Sequence, residues 1–229
     1  MIFPTIHLVA KPLIDEALLS LPSEGFKVAL NKPSGDFFYD PWIIKDEFKG
    51  TIWEKILTTL GNDRMGEARI INLDIKTCYT MHADIDDRWH LSFKDSQTYL
   101  VDLDEQKMYN TNKGMWYFMD AGKLHSAVNF SDEPRYQLVV RKLLAHNELK
   151  NRLTVNVTLK NVPNNFRYIL DTVISPWLNV SVKNSILDNF KVIDEKNFKF
   201  DLEKSAIENF KSLIKKSNLD IELTYDPIF

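Results

Sequence analysis

The chain has 229 residues, enough at roughly 100 to 200 residues per domain for one large domain, or for one domain with a smaller appendix. Its 29 Lys and Arg against 32 Asp and Glu leave a formal charge of -3, which gives nucleic acid and anionic membrane surfaces no electrostatic hold. The single cysteine, Cys78, excludes a disulfide framework and a Cys-rich zinc site.

No apolar run approaches the roughly 20 residues of a membrane span, and the opening MIFPTIHLVAKPLIDE lacks the basic end and cleavage site of a signal peptide. A soluble, cytoplasmic protein is expected. Residues 12–20 (PLIDEALLS) place a proline in a first helical turn and Leu13, Ala17 and Leu18 on one face, which predicts a short helix. DFFYDPW, 36–42, gathers four aromatics, Phe37, Phe38, Tyr39 and Trp42, as a core cap or as a lid over a site. In IIKDEFKGTIWEKILTTL, Ile44, Phe48, Ile52, Ile56 and Leu60 recur near helical spacing and predict a helix ending near Gly61.

From 67 to 144 the pattern turns to short strand-like runs: ARIINLDIKTCYTMHAD, RWHLSF, SQTYLVDL, KMYNT, MWYFMD and YQLVVRKLL. Turn clusters such as DID, KDS, TNKG, DAGK and NFSDEP separate them. That rhythm predicts an antiparallel barrel or sandwich. After about residue 148 the order becomes LTVNVTL (strand), PNNFRYILDTVI (helix), ILDNFKVID and NFKFDLE (paired strands), EKSAIENFKSLIKKS (helix) and LDIELTY (strand). This β-α-β-β-α-β order is that of a small ferredoxin-like unit. The expected organisation is therefore residues 1–148 as a mainly β domain with N-terminal helices and residues 149–229 as an α+β appendix. The stripe Ala206, Phe210, Leu213 and Ile214 on the last helix reads as core.

Chemistry concentrates between 82 and 135. In His82-Ala83-Asp84 the outer residues stand two apart, so on a strand an imidazole and a carboxylate share a face and can grip one ion. Adding His125 gives two His and one carboxylate, the facial set that leaves open positions on a non-haem Fe(II). By itself the tripeptide reads more simply as a surface or core histidine beside a solvated aspartate. Arg88 and His90 keep the even phase of His82 and Asp84, so all four face inward if the phase survives the DID turn, and buried charges of that kind need partners. Arg135, ten residues after His125, opens the apolar strand YQLVV, where a guanidinium can hold a carboxylate through two parallel hydrogen bonds.

The stretch 67–141 resembles the aspartyl/asparaginyl β-hydroxylase and free-proline hydroxylase group of Fe(II)/2-oxoglutarate oxygenases. The resemblance rests on four ordered elements: ARIINLDIKTCYTMHAD, RWHLSF, GMWYFMDAGKLHSAVN and DEPRYQLVV. It covers about a third of the chain, and the Pro-Gly turn common in that family before H-x-D is replaced by Asp74-Ile75-Lys76-Thr77. It implies a double-stranded β-helix, a cupin-like jelly roll, with His82, Asp84 and His125 as iron ligands. Arg135 would pair with the far carboxylate of 2-oxoglutarate, and Arg88 and His90 would lie near its metal-proximal end. The implied activity is hydroxylation of an amino acid, or of an amino-acid side chain in a peptide, with Fe(II), 2-oxoglutarate and O2 consumed or required and succinate and CO2 released. Two alternatives remain: a cupin-like binding module that keeps the metal as structure, and a cupin enzyme that does not use 2-oxoglutarate. The C-terminal unit would close the site, recruit a protein substrate or make a homodimer.

The remaining residues have plainer expectations. Cys78 reads as an ordinary small apolar residue, His7 and His146 as structural or exposed, Trp116 and Tyr117 as core, and Asn129 as a turn residue.

Overall fold

The computed structural model describes residues 1–21, 27–61 and 64–226. Two compact units divide the chain: Met1–Met81 with Asp86–Leu143, and Leu144–Phe229 with His82–Ile85.

In the first unit the elements are β1 (Ile2–Leu8), α1 (Lys11–Leu19), β2 (Lys27–Ala29), β3 (Asn31–Pro33), β4 (Trp42–Ile44) and α2 (Ile52–Thr58). After them come β5 (Met65–Leu73), β6 (Thr77–Cys78), β7 (Arg88–Ser92), β8 (Thr98–Asp102), β9 (Lys107–Asn110), β10 (Met115–Met119), β11 (His125–Asn129) and β12 (Arg135–Lys142). The last eight strands pair antiparallel as nested partners: β5 with β12, β6 with β11, β7 with β10, and β8 with β9. A chain paired first to last and then folded over itself gives two facing sheets, here ordered β1-β10-β7-β12-β5-β2 and β6-β11-β8-β9. This is a jelly-roll-like architecture, mainly β with some helices.

Period two along the strands separates two cores. Trp89 and Leu91 of β7, Leu138 and Val140 of β12, and Ala68 and Ile70 of β5 pack with Ile14 and Ala17 of α1 and Ile52, Trp53 and Ile56 of α2. Leu73, Leu100, Tyr117, Met119 and Ala127 form the second core, inside the roll. Trp116 and Tyr117 are thus both buried, one in each core.

The expected helix over 43–61 is only its last third. Ile44 lies in β4 and Phe48 in a 3-10 turn, and Gly50 takes φ 71 before Thr51 caps α2, its Oγ1 accepting from Trp53 N–H at 3.3 Å. A left-handed glycine interrupts a helix, and the apolar spacing across it came from two elements sharing one core. Strand β1 is an addition to the sequence reading. Pro4 lies in it because β1 is an edge, where a missing N–H costs no ladder bond.

The second unit carries β13 (Arg152–Leu159), α3 (Phe166–Ile169), a π-helical segment (Leu170–Ile174), α4 (Ser175–Lys183), β14 (Leu187–Val192), β15 (Asn197–Glu203), α5 (Ile207–Lys216) and β16 (Ile221–Asp226). Its antiparallel sheet runs β14-β15-β13-β16. The helical stretch continues past the expected Ile174 to Lys183. Pro176 lacks the N–H that would close an ordinary turn, and the wider π turn before it absorbs that loss. Phe210 and Ile214 of the expected stripe are buried, and Phe210 stacks near Trp177 at 4.9 Å.

Asn31 shows how a side chain completes a sheet. Its Nδ2 donates to Gly66 O at 2.8 Å and its Oδ1 accepts from Ala68 N–H at 2.8 Å, in a site 5% exposed. Asn31→Ala leaves two backbone groups of β5 without partners, at about 1–3 kcal/mol each. Urea unfolding monitored by tryptophan fluorescence is expected to show a loss of about 2–6 kcal/mol for the two together, with an unchanged m-value.

Candidate metal centre

His82, Asp84 and His125 come together: each offers one ligand atom, and these atoms all lie within 4.8 Å of one another. His82 Nε2 stands 3.9 Å from Asp84 Oδ2. The local route differs from expectation, because β6 ends at Cys78 and His82-Ala83-Asp84 follows as irregular backbone rather than regular strand. Strand phase therefore does not link this pair to Arg88 and His90. The backbone is instead pinned by hydrogen bonds, Ala83 N–H donating to Asp171 O at 2.8 Å and Asn179 Nδ2 to Ile85 O at 3.0 Å.

His125 opens β11 and is 4% exposed. Its Nδ1 stands 2.8 Å from the Lys123 carbonyl, which can only accept, so Nδ1 carries the proton and Nε2 presents a lone pair. A backbone carbonyl fixing the far nitrogen is the usual support for a metal-bound imidazole. Two imidazoles and one carboxylate within this span can hold a divalent ion.

Arg135, Gln137, Val139 and Arg141 of β12 point into the roll, opposite in phase to the core residues Leu138 and Val140. Arg135 is 6% exposed, and its Nε and Nη2 are buried with no hydrogen-bond partner. Those two nitrogens share one edge of the guanidinium, the fork that accepts a carboxylate side-on. Burial pulls the Arg135 pKa down to about 10, still cationic at neutral pH.

Arg88 and His90 face the same interior from β7, as their alternation with Trp89 and Leu91 requires. Arg88 Nη2 lies 3.6 Å from Asp86 Oδ1, and Asp86 also accepts from Arg141 Nε. His90 Nδ1 is 3.1 Å from Gln137 Oε1, while Gln137 Nε2 donates to Ser92 Oγ at 2.8 Å and Thr111 Oγ1 at 3.1 Å. With the amide so oriented, Nδ1 is the donor and the buried Nε2 is an unpartnered acceptor. Burial, then the Arg135 charge, push the His90 pKa well below its ordinary value.

Tyr79 escaped the sequence reading, which had no reason to single out a tyrosine three residues before H-x-D. Its backbone continues the β6–β11 pairing, N–H donating to Ala127 O at 3.0 Å, and its carbonyl accepts from Ser126 Oγ at 2.7 Å. Burial raises its pKa to about 12, against the pull of the Arg135 and Arg69 charges, so it remains a hydroxyl. Asn129 does more than shape a turn: its Nδ2 donates to the carbonyls of Leu73, Asp74 and Glu133, clasping the chain just ahead of Arg135. Cys78, expected to pack, is exposed, because β6 is a two-residue strand at the edge of its sheet. Of the aromatic segment, Phe38 and Tyr39 are buried; Phe37 stays 41% exposed with Arg141 over its ring at 4.3 Å. His146, 65% exposed at its side chain, lies 3.3 Å from Asp188.

No family model matches the chain, and no curated protein does. Among solved structures, the viral collagen prolyl hydroxylase of Paramecium bursaria Chlorella virus-1, in its 2OG complex, aligns with 61% of this chain and 94% of its own. The TM-score is 0.42 and the identity 9%, a likeness too slight to carry an argument, so the chemistry rests on this chain's own residues. No described helix is long and apolar enough to cross a membrane.

The His90 environment makes stability depend on pH. The unfolded histidine takes a proton near 6.5 while the folded one resists to well below that, so the stability present above the unfolded pKa is lost as pH falls through this window. Urea unfolding from about pH 7.5 to about 5.5 should show this fall, at most about 1.4 kcal/mol per pH unit from this group. In His90→Gln the slope should flatten; equal slopes would place the effect elsewhere.

Proposed function

We propose that this protein is an Fe(II)- and 2-oxoglutarate-dependent dioxygenase of the double-stranded β-helix kind, hydroxylating a C–H bond of an amino acid or of an amino-acid side chain in a peptide. The observation that carries the reading is Arg135. A buried guanidinium with one whole edge unpartnered calls for an anion with two parallel acceptors, and the far carboxylate of 2-oxoglutarate is such a group. A purely structural metal site gives no reason for it.

In this reading His82, Asp84 and His125 would hold the iron, two imidazoles and one carboxylate being a donor set suited to Fe(II). Bound Fe(II) supplies O2 activation coupled to oxidative decarboxylation of 2-oxoglutarate, giving succinate, CO2 and a hydroxylated substrate. The protein's own contribution is placement and charge. Lys123 O keeps the His125 proton on Nδ1 and so leaves Nε2 as the atom that would bind the metal. Arg135 holds the co-substrate's far end, and the Tyr79 hydroxyl, protonated and within the field of the Arg135 charge, adds a donor for the same carboxylate. His90 remains neutral, so it adds no charge to a site whose balance is set by Asp84, the metal, the co-substrate and Arg135.

The test is anaerobic titration of the Fe(II)-loaded protein with 2-oxoglutarate, followed by the visible metal-to-ligand charge-transfer band. Wild type should develop the band and, with a substrate from an amino-acid and peptide panel, release succinate. His125→Ala should lose it. Arg135→Ala should weaken 2-oxoglutarate by roughly 100-fold, the order expected for truncating one partner of a buried charge pair. Iron binding without a band, or a co-substrate affinity indifferent to Arg135→Ala, would overturn the reading.

A further inference from the structure

In the second unit one face of the sheet packs against helices. Phe200 of β15 lies 6.3 Å from Trp177 of α4 and 5.2 Å from Phe210 of α5, ring to ring. By alternation Lys199 and Asp201 of β15, and Thr154 opposite Asp201 on β13, belong to the other face.

Strand β14 joins that face through a bulge. Asp188 is opposite Asp201, and the register then slips so that Lys191 is opposite Lys199. Unslipped pairing would set Lys191 against Phe198, on the helix side. The extra residue lets Phe190 take the helix side instead, 6.1 Å from Phe198 and 6.5 Å from Phe200, and turns Lys191 to the face of Lys199. Asn189 makes the bulge: it takes φ 50, and its Nδ2 donates to Asp201 Oδ2 at 2.7 Å. Asp201, 7% exposed, also accepts from Thr154 Oγ1 at 2.6 Å and has Arg152 Nη1 at 3.5 Å, while Asp188 has His146 Nδ1 at 3.3 Å. A left-handed asparagine tied to a buried carboxylate is a fixed piece of backbone. Its result is two like charges directly across a strand pair, an arrangement that by itself weakens the pairing.

The two lysines share a cleft of about 230 Å3, lined by Thr154, Asn189, Lys191, Lys199, Phe200 and Asp201. That is below the roughly 300–1,000 Å3 of pockets for drug-sized molecules and suits a small ion or a single charged group. Directly opposed residues have Cβ atoms about 4.5–5.5 Å apart, so two ammonium groups can reach one anion between them. The donor type selects the anion. Lysine meets an oxyanion as a point charge with three donors, whereas a planar carboxylate is matched best by a guanidinium fork. Thr154 Oγ1 is committed to Asp201, so the lysines supply the donors here.

We propose that this cleft binds a phosphate group, held between Lys191 and Lys199, and carried either by inorganic phosphate or by a small phosphate monoester. The site is built from the second unit alone and stands whether or not the dioxygenase reading does.

The experiment uses the full chain at about pH 7.5, where a phosphate monoester is mostly dianionic. The ε-CH2 signals of carbon-13-labelled lysine are followed by NMR, with Lys191→Gln and Lys199→Gln assigning the two signals. Inorganic phosphate should move both along one saturation curve, beyond any shift given by sodium chloride of equal ionic strength, and should leave Lys216 of α5 where the chloride puts it. Acetate should need a concentration roughly tenfold higher than phosphate. Lys191→Gln should raise the phosphate concentration that moves Lys199 by roughly tenfold, the least that a hydrogen bond between charged groups is expected to give. Lys191→Arg, which keeps the charge, should raise it less. Glycerol 3-phosphate distinguishes the sources: action below the concentration of inorganic phosphate identifies an esterified phosphate as the ligand, and action above it identifies the free ion. The proposal is overturned if sodium chloride moves the two lysines as far as phosphate does, if acetate acts at the same concentration as phosphate, or if Lys191→Gln leaves the Lys199 response unchanged.

Discussion

Four arginines inside a β-roll can be held there only if something else fixes the strands. The outer face of β5, β7 and β12 does so: Ala68, Ile70, Trp89, Leu91, Leu138 and Val140 are locked against α1 and α2. A slip of one residue along any of these strands would turn its apolar row into the roll and its arginines into the helix-side core. The register is therefore set by hydrophobic burial on one face, and the positions of Arg69, Arg88, Arg135 and Arg141 on the other face follow from it. The outer core stabilises an inner face that electrostatics alone would not assemble, since burying a charge without a complete set of partners opposes folding.

That inner face holds charge in two different ways. Around His90 the polar groups are neutral and satisfied in sequence, from Nδ1 through the Gln137 amide to the Ser92 and Thr111 hydroxyls, themselves 2.5 Å apart. Such a chain keeps β7 and β12 in place without adding charge and leaves a single lone pair, the His90 Nε2, facing inward. Around the arginines the printed partners differ in kind, being carboxylates: Glu67 for Arg69, and Asp86 for Arg88 and Arg141.

The sequence exposes the parts of this design that have a period. Alternation in RWHLSF puts Arg88 and His90 on one face, and in the structure they alternate with the core residues Trp89 and Leu91; Arg135 opens the strand before YQLVV as read. Alternation fails for His82-Ala83-Asp84, because two residues of β6 are all the regular strand there is, and hydrogen bonds from Asp171 and Asn179, distant in sequence, shape the rest. Periodicity also misleads across Gly50, where Ile44 and Phe48 mimic the first turns of a helix whose cap is Thr51. Tyr79 and Arg69 could not be singled out by any local rule. Each matters through a neighbour that only strand pairing supplies, β11 for the first and β12 for the second.

Strand pairing also sets the spacing of the inward arginines. Arg135 opens β12 opposite Leu73, and Arg69 stands opposite Val139, four residues further along the same strand. At about 3.3 Å per residue the two positions are roughly 13 Å apart along β12. On its inward face β12 itself carries Arg135 and Arg141 with the neutral Gln137 and Val139 between them, while Arg69 is supplied by β5 opposite Val139. Charge on β12 is thereby kept toward its two ends, and the uncharged His90–Gln137 pair joins β12 to β7 between them.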